Sequence, residues 1–304
     1  MASSRTRSTW ALLTAPLVWV FVYAGVWIAG RIASLFGLNA AMNGRWQDAV
    51  VALFASLPVL GCLWLWLRFY EKRPLRDIGL AGPARRELLR GFLMGCLLVA
   101  GVAAVGLLIG VYSFAGLGAL QGFDMVWLTA AILVIAGTFV QATVTEALWR
   151  GWMLQTCALQ WGAIPALVFN VAAGLIIQGG NLLQSPEHLL GGINLALMAG
   201  FLSLKALRDG SLWGVCGVHA GWNLMMGLGL GLGIDGGRTG VTPLLAHIVP
   251  NGDAPAFLHG SWYGPDAGLL MTVAAVAAIA WTLRRPRQPQ AVRQDDHDTV
   301  DDYH

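Results

Sequence analysis

Apolar runs of about twenty residues leave a chain few ways to fold. One such run covers residues 10–29, and others follow at about 50–67, 92–112, 127–158, 165–183, 189–207, 212–232 and 267–283. A helix of about 20 apolar residues spans a ~30 Å hydrocarbon core, and it satisfies its own backbone where no water can. The chain is 57% apolar and only 12% charged, whereas soluble domains carry about 25% charged residues. A soluble globular fold is excluded. The sequence predicts an all-α polytopic membrane protein of about eight transmembrane helices, with helices four, five and seven packed around a central polar site.

Charge then orients the spans. Arg5 and Arg7 precede the first run, and no small-residue cleavage site closes it, so it reads as an uncleaved span rather than a signal peptide. An even number of spans puts both termini on one side. Arg5, Arg7, the basic stretch 68–90, Lys205, Arg208 and the late arginines Arg284, Arg285, Arg287 and Arg293 all fall on that side; Arg31, Arg45 and Arg238 fall opposite. The positive-inside rule makes that side cytoplasmic. The expected organisation is a cytoplasmic N-terminus (1–8), a membrane domain (9–283) and a disordered cytoplasmic tail (284–304). The membrane is expected to be the cell membrane. The stretch 68–90 reads either as an interfacial amphipathic segment or as a solvated loop. A glycine-rich connection, 233–266, exceeds the ~12–15 residues of plain loops and is placed to fold over one mouth of the bundle. Cys62, Cys96, Cys157 and Cys216 stand singly and read as small buried hydrophobes. The net charge of +3 lies mostly between spans, so it speaks to topology and implies no nucleic-acid partner.

Three spans carry polar residues at membrane depth. Span four holds Gln141, Thr143, Thr145, Glu146 and Arg150; span five holds Asn170, Gln178 and Asn181; span seven holds His219 and Asn223. Glu146 and Arg150 are four apart, as are His219 and Asn223, so each pair shares a helical face. An ionisable residue in a span costs roughly 2.5–3.5 kcal/mol on insertion scales, which marks it as a functional candidate. Equally, an ion pair can simply lock two helices, and a lone His or Asn can be an interhelical tie. Chemically, the set offers a carboxylate base and an Arg that lowers its basicity, with His219 and Asn223 as donors to an oxyanion. For a divalent metal it offers one imidazole and one carboxylate, fewer than the three protein ligands of catalytic zinc; no other cofactor is implied.

At these residues the chain resembles the CAAX protease and bacteriocin-processing (CPBP, or Abi) family of intramembrane endopeptidases. The family's EExxxR motif stands here as Thr145-Glu146-Ala147-Leu148-Trp149-Arg150, followed by Gly151; its HxxxN motif is intact as His219-Ala220-Gly221-Trp222-Asn223, preceded by Gly210-Ser211-Leu212-Trp213. The resemblance covers about 75–223, and the stretch 257–268, FLHGSWYGPDAG, looks like the C-terminal region of some bacterial members. It implies an endopeptidase, often labelled a metalloprotease, with Glu146, Arg150, His219 and Asn223 at family site positions. Two positions depart. The first motif glutamate, the family's water-activating base, is Thr145, and the histidine of the FxxxH motif falls on Gln178, with Gly174 at its phenylalanine. Neither a hydroxyl nor a carboxamide exchanges protons near neutrality, and loss of a general base typically costs roughly 10²–10⁴-fold in rate.

Two readings remain. In one, the chain is an endopeptidase acting on membrane-associated peptides or prenylated proteins, with weak or lost proteolysis. In the other it is an inactive member that binds such partners as a regulator, chaperone or bacteriocin-immunity protein. A transporter or channel would call for paired broken helices or internal repeats, which the sequence lacks. Membrane lipid is a partner in either case. A single water-accessible cavity lined by Gln141, Thr145, Glu146, Gln178, His219 and Asn223 would favour chemistry; a dry cluster would favour a structural role.

Overall fold

The computed structural model describes residues 7–82, 84–119, 122–178 and 189–284. Among them, five helices are long and apolar enough to cross a membrane: Ala11–Ser34, Trp46–Glu71, Ala84–Leu108, Met125–Trp161 and Leu189–Asp209. Two shorter apolar helices, Ala163–Ile177 and Leu269–Arg284, stand beside them. The protein is a helical, multi-pass membrane protein. Asn181, the polar cluster 184–188 and the tail beyond Arg284 lie outside the described residues.

In chain order, α1 (Ala11–Ser34) leads to α2 (Trp46–Phe54) and α3 (Ser56–Leu65), which runs on as a π-helical segment, Trp66–Glu71. Next come α4 (Ala84–Leu108) and strand β1 (Tyr112–Leu117). Helix α5 (Met125–Glu146) opens on Asp124, whose side chain accepts the Trp127 amide at 2.7 Å, a cap for an otherwise orphaned donor. It continues through a second π-helical segment, Ala147–Met153, into α6 (Leu154–Trp161). Gly162, at φ 85°, ends α6, and α7 (Ala163–Gln178) and α8 (Leu189–Asp209) follow. Helix α9 (Trp213–Leu224) extends through a π-helical Met225–Gly229 into the long connection, which holds β2 (Ala246–Pro250) and the one-turn α10 (Ala256–His259) before α11 (Leu269–Arg284) closes the bundle.

One expectation needs correcting. The basic stretch is neither wholly a loop nor a separate interfacial helix: from Ala84 it forms the first turns of α4, which carry Arg85, Arg86, Glu87 and Arg90. Helix α4 therefore starts earlier than its apolar run, because charged side chains on a first turn can project past the hydrocarbon. The all-α bundle also carries one small two-stranded sheet among the described residues. Tyr112–Leu117 pairs antiparallel with Ala246–Pro250, with a register shift between Phe114 and Gly116. Two strands separated by so much chain leave no mark in local periodicity.

Helix α9 sits inside, packed against α4 and α5. Its approach to α4 is set by glycine on both sides. Gly91 and Gly95 of α4 meet the carbonyls of Gly214 and Val218, and Gly217 and Gly221 of α9 meet those of Leu88 and Phe92. A Cβ at any of the four would overlap backbone, which cannot yield as a flexible side chain can. Close approach of small residues is how helices associate where the solvent is itself apolar. A second tie joins three elements: the buried Glu71 accepts from the Thr9 hydroxyl and, at 2.9 Å, from the Trp152 indole, and pairs with Arg73 at 2.6 Å. Gly217→Val should separate α4 from α9 and destabilise the protein by about 1–3 kcal/mol, read as a lower thermal midpoint in detergent, with Gly101→Val, which meets no neighbour, as the control.

Candidate active site

Glu146 is the last residue of α5 and Arg150 lies within the π-helical turn that follows; every residue from Ala147 to Met153 is buried. Single π turns inside helices re-aim side chains and recur at functional sites. Here Arg150 Nη1 lies 3.3 Å from both Glu146 oxygens. Glu146 has no solvent exposure. Its Oε1 lies 2.7 Å from Nδ1 of His219 on α9, whose side chain keeps 18% of its exposure. The Glu146 carboxylate, beside a guanidinium, is an acceptor, so Nδ1 carries the proton and donates it to Oε1. The second ring nitrogen, Nε2, then presents a lone pair and takes no hydrogen bond from the described residues.

These residues line a cavity of about 130 Å³. At ~30 Å³ per water in the liquid, it has room for several. Thr145, Glu146, Arg150, His219 and Asn223 all border it, which brings together five of the six residues singled out by sequence. The sixth, Gln178, ends α7, and its side chain lies outside the described residues. Gln141 does not border the cavity; its amide donates to Thr145 Oγ1 at 3.3 Å. Asn170 is a tie: it donates to the Trp149 carbonyl at 2.9 Å and accepts from Ser203 at 3.1 Å, joining α7 and α8 to the π-helical turn.

Part of the cavity lining was not legible as site in the sequence. Asp235, Tyr263 and Asp266, from the long connection, border the same cavity. Asp266 Oδ1 accepts the Trp222 indole N–H at 3.1 Å, and Asp235 Oδ1 accepts the Tyr263 hydroxyl at 3.1 Å. Asn194 of α8 fixes this part by donating to the carbonyls of Asp266 and Gly268, at 2.8 and 3.0 Å. Burial, reinforced by the charge of Asp235, pushes Asp266 up to about 8, against the lowering effect of its hydrogen bonds from Trp222 and the Asp235 main chain. Burial by the surrounding chain raises Asp235, although the residue keeps an exposed surface, while the Tyr263 hydrogen bond and His219 oppose the rise. Two carboxyl groups so placed cannot both ionise easily.

A metal centre does not fit this geometry. Glu146 Oε1 and His219 Nδ1 are bonded to each other, and among the described residues no three His, Cys, Asp or Glu side chains converge as ligands.

Residues 127–225 match the family model described as Rce1-like, type II CAAX prenyl endopeptidase Rce1-like. The matched stretch runs from α5 to the π-helical turn after α9 and includes all six candidate residues. The match covers about a third of the chain and supports its resemblance to the CAAX protease family over this segment. A search of curated proteins gave no match. The family segment supplies one wall of the cavity, while the wall holding Asp235, Tyr263 and Asp266 falls beyond it.

Removing the cation from this site should be far worse than removing the ion pair. Arg150→Met strands the buried Glu146 charge and should destabilise the protein by about 3–5 kcal/mol. Adding Glu146→Gln should recover most of that loss. Thermal unfolding of the two single variants and the double variant in detergent measures both.

Proposed function

We propose that the protein is an intramembrane endopeptidase that hydrolyses membrane-associated peptides, prenylated proteins included, at the cavity between α5 and α9. The single observation that carries this reading is the 2.7 Å contact between Glu146 Oε1 and His219 Nδ1. A fully buried carboxylate orients an imidazole that keeps access to a water-sized cavity. In that arrangement the carboxylate holds the tautomer and stabilises the imidazolium, and Nε2 draws a proton from water. Arg150 pairs with Glu146 at 3.3 Å and holds its carboxylate in place. Asn223, one turn beyond His219 and bordering the cavity, offers its carboxamide N–H to the oxyanion.

On this reading the base lost at Thr145 and Gln178 is not missed, because His219 works as base where the family uses glutamate. On the same reading the chain crosses the cell membrane eight times, with α7, α9 and α11 as the shorter spans and both termini cytoplasmic. The substitutions at Thr145 and Gln178 favour the other reading, a binding protein that has lost hydrolysis, acting as a regulator or immunity factor. The two separate on one assay. Full-length protein in liposomes is given a library of membrane-tethered reporter peptides. We expect cleavage that falls roughly 10²–10⁴-fold in His219→Ala and Glu146→Gln. Silence in the wild type, with activity gained in Thr145→Glu/Gln178→His, would instead establish a lapsed enzyme.

A further inference from the structure

Hydrolysis of an amide needs an acid as well as a base, because an amine anion is too poor a leaving group to depart unprotonated. Within the family segment only His219, once it holds water's proton, can give one; Arg150 does not release a proton in this range, and Asn223 and Thr145 exchange none. The long connection offers a separate acid. Asp235 and Asp266 border the same cavity as His219 and Asn223, and each is aimed by its own donor, Tyr263 and Trp222. The main chain and the side-chain charge of Asp235 both act on the Asp266 carboxyl, so the two residues are electrostatic neighbours. The cavity carries an independent mark of an unfilled polar site. Arg150 Nε is buried without a hydrogen-bond partner, and Glu146 Oε2 has only its 3.3 Å ion-pair contact with Arg150, although both side chains border it.

We propose that Asp266 is the general acid of this site, with Asp235 as the carboxyl group that shares its proton. The assignment rests on the hydrolase reading above. Water loses a proton to His219 Nε2 as its oxygen bonds to the peptide carbonyl carbon. The electron pair on the resulting oxyanion then re-forms the carbonyl, the C–N bond breaks, and the nitrogen takes the proton of Asp266. The proton on His219 returns to the carboxyl pair through cavity water, so the net reaction consumes one water. Placing a raised carboxyl in one cavity with an imidazole separates acid from base by environment. The ionisable groups facing the pair are Tyr263 on the same connection, Tyr112 of β1, His219 of α9, and Glu146 and Arg150 of α5 with its π-helical turn. Tyr263 is itself raised, by burial and by the charge of Asp235, so it stays a donor to Asp235 across the working range.

The test compares two substrates of one acyl sequence in liposomes, a membrane-tethered peptide amide and its 4-nitrophenyl ester, whose leaving group departs without a proton. Asp266→Asn should lower amide cleavage about 100-fold or more and leave ester cleavage within about threefold. In the wild type, amide cleavage should fall as pH rises past about 8, where Asp266 loses its proton. Asp235→Asn, which removes the charge that raises Asp266, should move that fall to lower pH. Equal loss of both substrates in Asp266→Asn, or loss of neither, overturns the assignment; a wild type that cleaves neither overturns the hydrolase reading itself. Infrared spectra of the reconstituted protein at pH 7 judge the proton separately. A protonated-carboxyl band that Asp266→Asn removes is expected, and a wild type without that band refutes the shared proton whatever the activity.

Discussion

A carboxylate with no access to water must be neutralised where it stands, and the core of this protein is built around that demand. Glu146 is taken out of solvent completely, and two partners answer it from different directions: Arg150 from the next turn and His219 from across the bundle. Burial of an ion pair is a weak source of stability but a strong constraint on arrangement, since losing one partner leaves an uncompensated charge. The helices that carry the three residues, α5 with its π-helical turn and α9, therefore hold one relative position. The glycines between α4 and α9 let α4 pack close against the helix that carries His219.

Three ties surround this centre and share one logic. Glu71 gathers Thr9, Arg73 and Trp152; Asn170 gathers Trp149 and Ser203; Asn194 gathers Asp266, Gly268 and Thr272. Each is a buried polar side chain with several partners, as hydrocarbon surroundings require. Two of them act on the π-helical turn that holds Arg150. The third holds the start of α11 to α8, and with it the part of the lining that holds Asp266. Polar residues at membrane depth thus divide into a few that border the cavity and others that fix what borders it.

The division explains what reading the sequence caught. Glu146, Arg150, His219 and Asn223 were visible because charge and amide groups stand out in apolar runs and fall four apart on a helix. Asn170 and Gln141 stood out for the same reason and were not distinguishable from them, since one dimension does not say which residues share a cavity. Asp235 and Asp266 were overlooked for the opposite cause. An acidic residue in a glycine-rich connection looks solvated, and only the length of 233–266 and the FLHGSWYGPDAG stretch gave any sign of a role. The strand pair between β1 and β2 was invisible because its two halves lie far apart in the chain.

By itself, the sequence determined the class of the molecule and the chemistry available to it. Twenty-residue apolar runs admit little besides membrane helices, and helical spacing alone paired Glu146 with Arg150. The tertiary structure decided how that chemistry is shared out. It gave Oε1 of Glu146 to His219 and brought the connection back into the bundle. Contacts such as these join residues 73 apart for Glu146 and His219, and 44 apart for Trp222 and Asp266. They depend on how helices pack and where a loop returns, and no local pattern in the chain encodes that geometry.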